Sequence, residues 1–255
     1  NRDDNPEHMI VIRNNNGPGI SLSELSHLYV ENISINSSSN TGISLKEHST
    51  MEMRNSKVES PSSSGIYVSD FSSMEMRDST VTAKWGISVN DSSHIGINNS
   101  QITATHTFSQ DDGNQNGSNG IEAFSNSQIE IDWGNDGTTT IQAGAFPLKA
   151  RENSRIEIHN KVQLTSVLNW NKLQIERGSK LNLGGPSDMT VQNLDEIFLA
   201  PDTETNLSDR WLIENVNCYN ESDINGEKIY RDAVIYRNGS STGAENFNSN
   251  CILAN

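Results

Sequence analysis

A set of aromatic and acidic side chains stands out in the middle of the sequence. Part of the set lies in a polar segment that runs Gln-Asp-Asp-Gly-Asn-Gln-Asn-Gly-Ser-Asn at positions 110–119. An aromatic ring can cover the C–H face of a sugar, while carboxylates and amides bond its hydroxyls. The alternative interpretation is that the rings only pin the loops to the protein surface. The predicted ligand-binding residues are Trp85, His106, Phe108, Asp111, Asp112, Trp133 and Asp136.

Carboxylates also recur at regular positions. Glu52, Glu75, Glu130 and Glu157 fall at one equivalent position of a sequence repeat. On neighbouring strands they would stand about 5 Å apart, a spacing that suits glycosidase chemistry. Any regular stack of strands gives the same spacing, so the row alone predicts no catalytic residue.

A second acidic row falls at a turn position of the same repeat. Its hard oxygen ligands suit Ca²⁺. However, the row sits beside Ser and Lys at a corner that we expect to be solvated, and the Gly-Gly-x-Gly-x-Asp calcium motif is absent. We therefore predict no metal site and no cofactor, with calcium as the alternative. The residues of this row are Glu24, Glu47, Asp70, Asp91 and Glu152.

The elements that would hold these residues come from the repeat itself. Gly42–Val58 and Gly65–Val81 share one order of residue types, and the second copy begins 23 residues after the first. The unit reads Gly-Ile-x-aliphatic-x-acid-x-Ser-x-aliphatic-x-aliphatic. A repeat of this length, built from alternating residues, indicates a solenoid. Seven units fit the pattern, and they begin at Gly19, Gly42, Gly65, Gly86, Gly120, Pro147 and Lys172.

Each unit divides into three short strands joined by corners of Gly, Ser, Asn and Pro. Alternation places Ile43, Leu45, Met51 and Met53 inside, and the equivalent positions of other units are also aliphatic. Short strands at a constant period, without helical patterns between them, predict an all-β parallel β-helix of about eight turns. A leucine-rich repeat is the main rival, but it would need a different spacing of leucines.

Two rows at the corners are expected to be structural. A glycine comes just before the first strand in five units, where we expect a sharp corner with positive φ. A serine recurs at the second corner, as in Ser49 and Ser72. Serine hydroxyls can bond to neighbouring backbone, so we expect them to link successive turns.

The chain changes character outside the repeats. Residues 1–18 read as an N-terminal entry or cap, residues 19–200 as the solenoid, and residues 201–255 as a small C-terminal β cap or appended module. Cys218 and Cys251 lie in this last segment. Such a pair in an acidic chain rich in Ser and Asn predicts a disulfide in an oxidising compartment, and two buried thiols are the alternative.

Charge and hydropathy limit the partners. The 255 residues include 33 Asp and Glu against 18 Lys and Arg, which gives a formal net charge of −15. This charge repels phosphates and anionic lipid, so we expect no nucleic-acid partner. No apolar run approaches the roughly 18 residues of a membrane span, so we expect no membrane insertion by this chain. The hydrophobic share of 33 % suits the narrow core of a solenoid.

The unit also carries the motif of a known superfamily. Asn55-Ser56-Lys57-Val58 and Asp78-Ser79-Thr80-Val81 close two successive units. With the Gly-Ile and Ser-x-aliphatic motifs, they resemble the right-handed parallel β-helix (pectin lyase-like) superfamily of pectate lyases, phage tailspikes and autotransporter adhesin passenger domains. The resemblance is closest to the adhesins and covers about Ile10 to Leu199. Of the catalytic motifs in the enzyme members, only Asp111-Asp112 has a counterpart here.

The resemblance implies an extracellular or cell-surface protein of bacterial or phage origin. We expect a non-enzymatic adhesion module that recognises glycan or another cell-surface ligand through its projecting loops. A polysaccharide-degrading enzyme, either a tailspike-like glycosidase or a lyase, is the alternative. A tailspike-like protein would also form a trimer. The sequence leaves open the identity of the ligand and whether the two loop insertions form one site.

Overall fold

A computed structural model describes most of the solenoid and several strands beyond it. All of the described elements are β-strands, and no helix that could span a membrane occurs among them. The described residues are 10–106, 118–131, 137–159, 162–167, 173–176, 178–184, 192–199, 203–208, 211–218, 234–238, 244–247 and 252–254.

The strands are short and follow one another at nearly constant intervals. They are β1 (Ile10–Asn14), β2 (Ile20–Leu22), β3 (His27–Glu31), β4 (Ile33–Ser37), β5 (Ile43–Leu45), β6 (Thr50–Arg54), β7 (Lys57–Val68), β8 (Ser73–Arg77), β9 (Thr80–Val89), β10 (His94–Asn98), β11 (Gln101–Ala104), β12 (Ile121–Ala123), β13 (Gln128–Ile131), β14 (Thr139–Ala143), β15 (Leu148–Ala150), β16 (Arg155–Ile158), β17 (Val162–Ser166), β18 (Leu173–Ile175), β19 (Lys180–Leu183), β20 (Gln192–Leu199), β21 (Glu204–Ser208), β22 (Trp211–Cys218), β23 (Val234–Asn238), β24 (Ala244–Phe247) and β25 (Ile252–Ala254).

The strands form two sheets in which neighbours run parallel. Sheet B contains ten strands in the order β25-β23-β21-β19-β16-β13-β10-β8-β6-β3. Sheet A contains fifteen strands and bends, because β7 and β9 each pass around a corner. We call face 1 the part of sheet A formed by β2, β5, the ends of β7 and β9, β12, β15 and β18. We call face 3 the part formed by β1, β4, the starts of β7 and β9, β11, β14 and β17.

The predicted all-β parallel β-helix is confirmed. Seven strands of sheet B, from β3 to β19, mark seven regular turns, against about eight predicted. The 23-residue period sets the register, so that Ile43 pairs with Ile66 and Met51 pairs with Met74. These four side chains are at most 2 % exposed. Alternation along every strand sends equivalent aliphatic residues inward, where they stack between faces.

The glycines before the first strand have a different role from the predicted one. Positive φ among the described glycines occurs at Gly137 and Gly178, not at Gly42 or its equivalents, so that expectation is wrong. The reason is close packing. A Cβ on Gly42 would lie 2.3 Å from Cγ1 of Val58 and 2.6 Å from the carbonyl oxygen of Gly65. Glycine is required here because the next turn passes directly over it.

Positive φ falls instead on the acidic row and on the residue that follows each acid. Glu47 and His48 have φ of 55° and 63°, and Asp70 and Phe71 have φ of 56° and 61°. The bend is stabilised by its own backbone ladder, in which the N–H of His48 donates to the carbonyl of Asp70 at 2.9 Å. The acidic row therefore marks the corner between face 1 and sheet B.

The serines form the predicted ladder. The backbone N–H of Ser49 donates to Oγ of Ser72 at 3.1 Å, and the N–H of Ser72 donates to Oγ of Ser93 at 3.1 Å. The same bond continues to Ser127 and Ser154. These serines are at most 2 % exposed, so the ladder supplies acceptors to backbone donors at a buried corner.

The strands after residue 200 continue the parallel pairing. β21 pairs with β19, β23 with β21, and β25 with β23. Most of residues 201–255 lies outside the described residues, as do residues 1–9. The separate C-terminal module stays a prediction. So does the disulfide, because Cys218 ends β22 while Cys251 lies outside the described residues.

Candidate functional site

An open groove of about 310 Å³ lies on face 1, beside the long insertion. Its floor is a row of outward side chains from three successive turns. Ser88 pairs with Glu122, and Glu122 pairs with Lys149, so the three side chains stand one strand spacing apart. Alternation dictates their direction, since the neighbours of each point into the core. The floor is therefore polar and rests on a rigid sheet.

Aromatic rings stand at the sides of the groove. Trp85 lies where β9 turns from face 3 to face 1, and it is 43 % exposed. The ammonium of Lys84 lies 4.6 Å from the centre of its ring. Phe146 also lines the groove, and Nζ of Lys149 lies 5.5 Å from the centre of that ring. Both aromatic side chains lie at the corner through which the chain enters face 1.

Charged groups in the groove hold one another in place. Nε of Arg151 lies 3.0 Å from Oε1 of Glu122, and the amide of Asn119 donates to Oε2 of the same carboxylate at 3.0 Å. Nζ of Lys149 lies 2.7 Å from Oε1 of Glu176. The groove thus presents a carboxylate, an amide, an ammonium and a guanidinium in fixed positions.

The long insertion begins and ends at this groove. The imidazole of His106 packs edge to face on Trp85, with ring centres 6.2 Å apart. Ser118, at the other end, donates its N–H to the carbonyl of His106 at 3.1 Å, and its hydroxyl donates to the same oxygen at 2.9 Å. The next residue, Asn119, lines the groove. The two ends of the insertion are therefore hydrogen-bonded to each other beside Trp85.

The structure brings together two of the seven predicted ligand-binding residues, Trp85 and His106. The other five lie outside the described residues. The insertion that carries Trp133 and Asp136 leaves from Ile131, at the end of sheet B, and returns before Thr139 on face 3. It therefore starts at another corner from the insertion at His106. The predicted residues outside the description are Phe108, Asp111, Asp112, Trp133 and Asp136.

Sequence reasoning missed most of the groove. The missed residues include Asn119, at the end of the insertion, and outward positions of β12 and β15. The strand register could have identified them. An outward residue in the turn that follows an insertion lies beside that insertion, as Glu122 and Lys149 do here. The groove residues not predicted as ligand-binding include Ser88, Asn119, Glu122, Phe146, Lys149 and Arg151.

The glutamate row on the outer face of sheet B is in the expected register. Glu52 pairs with Glu75, and Gly96 then separates Glu75 from Glu130. The missing side chain at Gly96 leaves a cleft of about 150 Å³. The carboxylate of Glu75 leans over it, because a Cβ on Gly96 would lie 2.4 Å from Oε2 of Glu75. Glu75 is an exposed residue, but partial desolvation of its carboxyl in the cleft raises its pKa, and the neighbouring His94 and Arg77 partly oppose that rise.

The same row continues into a cluster with metal-ligand chemistry. Ligand atoms of Glu130, Glu157 and His159 all lie within 4.8 Å of one another. No other group of three or more such side chains with this proximity occurs among the described residues. This cluster lies on sheet B, whereas the groove lies on face 1.

Parallel strands that wind through three faces around an aliphatic core define the class of the protein as a parallel β-helix. Residues 10–136 match the family model described as the right handed beta helix region. This match and the parallel three-faced solenoid together support a right-handed β-helix superfamily. Comparisons with curated proteins and with solved structures gave no match.

Proposed function

We propose that this protein is an extracellular binding module that recognises glycan through the groove on face 1. The observation that carries the proposal is the exposed ring of Trp85 beside a floor of fixed polar groups. A sugar presents both an apolar C–H face and a rim of hydroxyls, and a groove with one aromatic side and one polar side matches both.

The volume and lining of the groove support a small saccharide unit. Its 310 Å³ falls at the lower end of the range of roughly 300–1,000 Å³ for small-molecule sites. Glu122 and Asn119 can accept and donate bonds to hydroxyls, and Lys149 and Arg151 can pair with a sugar carboxylate. The groove therefore suits neutral and acidic sugars.

A groove on the side of a rigid solenoid favours adhesion, because the solenoid holds the binding residues in place. Each turn is held by backbone bonds to its neighbours, so the groove keeps its shape without a ligand. The net charge of −15 disfavours nucleic acid and anionic lipid as partners. A location outside the cell rests on the composition and on the predicted disulfide between Cys218 and Cys251. The partner we propose is a cell-surface or extracellular polysaccharide.

Polysaccharide degradation is the second candidate function. The observation that favours it is the cleft at Gly96, with Glu75 on one side and Glu130 on the other. A glycosidase needs one carboxyl group that stays protonated and one that is ionised, and the partial desolvation of the Glu75 carboxyl acts in that direction. Glu75 would then serve as general acid and Glu130 as base or nucleophile.

One experiment separates the two functions. The purified protein is screened on a glycan array, and each polymer that binds is incubated with it and sized by chromatography. The binding proposal predicts bound polymer of unchanged length. Shortened polymer that remains intact with Glu75→Gln would overturn it in favour of the enzyme. Absence of any carbohydrate hit would contradict both.

A further inference from the structure

We propose that Glu130, Glu157 and His159 form a binding site for a divalent transition-metal ion on the outer face of sheet B. The site is independent of the groove on face 1. Two carboxylates and one imidazole make a ligand set typical of Zn²⁺ and its first-row neighbours, whereas Ca²⁺ prefers oxygen ligands alone.

The backbone places all three side chains on one side of the sheet. Glu130 in β13 pairs directly with Glu157 in β16. His159 follows Glu157 by two residues, and its N–H donates to the carbonyl of Ile131 at 3.0 Å. The strand pairing thus extends to His159, whose side chain points to the same face as Glu157 because strands alternate with a period of two.

The separations between ligand atoms fit a single ion. Nε2 of His159 lies 3.1 Å from Oε1 of Glu130 and 3.4 Å from Oε2 of Glu157. Ligands at 2.0–2.2 Å from a four- to six-coordinate metal are about 2.8–3.6 Å apart. The third separation, between the two carboxylates, is at most 4.8 Å. An ion bound to all three residues would draw the two carboxylate oxygens together if they stand further apart than this range.

A second layer of groups orients both carboxylates. Nε2 of His94 lies 3.4 Å from Oε2 of Glu130, and Arg155 pairs with Oε1 of Glu157. Each glutamate therefore uses one oxygen for an outer partner and presents the other oxygen to His159. Outer partners of this kind fix the direction of metal ligands and are a regular part of metal sites.

The imidazole nitrogen that faces the carboxylates is withdrawn from water. Nε2 of His159 is buried and makes no hydrogen bond, although two carboxylate oxygens lie near it. Glu157 is itself only 9 % exposed. Two carboxylates on adjacent strands repel each other, and a cation bound between them and Nε2 removes that repulsion. The competing account is an ion pair between His159 and the two carboxylates without a metal.

The experiment measures binding of Zn²⁺ and Co²⁺ to the metal-free full chain by isothermal titration calorimetry, with Ca²⁺ and Mg²⁺ in parallel. His159→Ala and Glu157→Gln remove ligands. Glu52→Gln is the matched control, because Glu52 pairs with Glu75 in the same row but lies outside the cluster. Thermal unfolding without metal verifies that each variant is folded, and visible absorption of the Co²⁺ complex reports its coordination.

The proposal predicts one Zn²⁺ site whose affinity falls at least tenfold in His159→Ala and in Glu157→Gln and is unchanged in Glu52→Gln. It also predicts Co²⁺ absorption bands that disappear in His159→Ala, and much weaker binding of Ca²⁺. Equal Zn²⁺ binding by the wild type and His159→Ala would overturn the proposal, as would loss of affinity in Glu52→Gln of the same size. Absence of Zn²⁺ and Co²⁺ binding by the wild type would establish the ion-pair account instead.

Discussion

The indole of Trp85 meets the imidazole of His106 edge to face, with ring centres 6.2 Å apart and planes inclined at 67°. The contact links Trp85, which lines the groove, to His106, which is hydrogen-bonded to Ser118 at the other end of the long insertion. The ring contacts the first residue of the insertion and is still 43 % exposed, so packing and ligand binding are compatible roles for Trp85.

The serine ladder predicts a large effect from a small substitution. Ser127→Ala removes the hydroxyl that accepts the buried N–H of Ser93. Leaving a buried donor without this partner costs about 1–3 kcal/mol. We expect urea denaturation to show that loss in the free energy of unfolding. Ser62→Ala, on an exposed position of β7, is the control and should change little. Equal stability of the two variants would contradict a structural role for the ladder.

The glycine row predicts that a single methyl group disrupts the stack. Gly42→Ala would place Cβ 2.6 Å from a backbone oxygen of the next turn, where no side-chain rotation relieves the contact. We expect a loss of about 3 kcal/mol or more in the free energy of unfolding. Gly17→Ala is the matched control, since its nearest contact would be at 3.4 Å. A fully stable Gly42→Ala variant would show that the turns are not packed so closely.

The carboxyl of Glu75, partly desolvated in the cleft although the residue is exposed, predicts a pH dependence. This desolvation raises its pKa above the ordinary value of 4.5, so the folded state holds the proton more tightly than the unfolded state does. The ionised carboxylate therefore lowers the free energy of unfolding at neutral pH. This loss of stability shrinks as the pH falls through the raised pKa, and it is absent below about 4.5, the pKa in the unfolded chain. We expect Glu75→Gln to melt higher than the wild type at pH 7, with the difference vanishing near pH 4.

Two results would test this assignment in differential scanning calorimetry. Glu47→Gln, which changes an exposed carboxylate at a corner, should show no comparable rise in melting temperature at pH 7. A difference between Glu75→Gln and the wild type that stays constant from pH 4 to pH 7 would show that desolvation of the charge is not its cause.

The floor of the groove predicts a binding defect without a large loss of stability. Glu122→Ala removes the partner of both Asn119 and Arg151. Because both groups would lose their fixed positions, we expect glycan affinity to fall about tenfold, which corresponds to about 1.4 kcal/mol. Glu24→Ala, at an exposed corner far along the rod, should bind as the wild type does. Unchanged affinity in Glu122→Ala would remove this carboxylate from the site.

The sequence predicted the fold well because the repeat encodes it directly. Alternation identified core residues such as Ile43 and Met51, and the 23-residue period fixed their partners in the next turn. The reason for glycine at position 42 was predicted wrongly. Glycine is needed there because the backbone of the following turn lies against it, and the residues around Gly42 in the sequence do not show this contact. The positive φ that turns the chain at this corner is adopted by Glu47 and not by the glycine.

The candidate site was predicted less completely, for a physical reason. Trp85 and His106 were found because aromatic residues beside an insertion are conspicuous. Lys149 and Arg151 look like ordinary outward residues of a strand, and only the distance to Glu122 and Phe146 gives them a role. His159 lies just beyond a strand, where the repeat unit has no fixed residue type. Both sites depend on proximity between turns and not on local sequence.

The most direct test of glycan recognition is calorimetric titration of a carbohydrate identified on the array against the wild type, Trp85→Ala and Phe71→Ala. Phe71 is also an exposed aromatic residue, but it stacks on His48 at 5.3 Å, at another corner of the rod. We predict that Trp85→Ala binds at least tenfold more weakly while Phe71→Ala binds as the wild type does. Equal affinity of the wild type and Trp85→Ala would contradict the assignment of the groove as the glycan site.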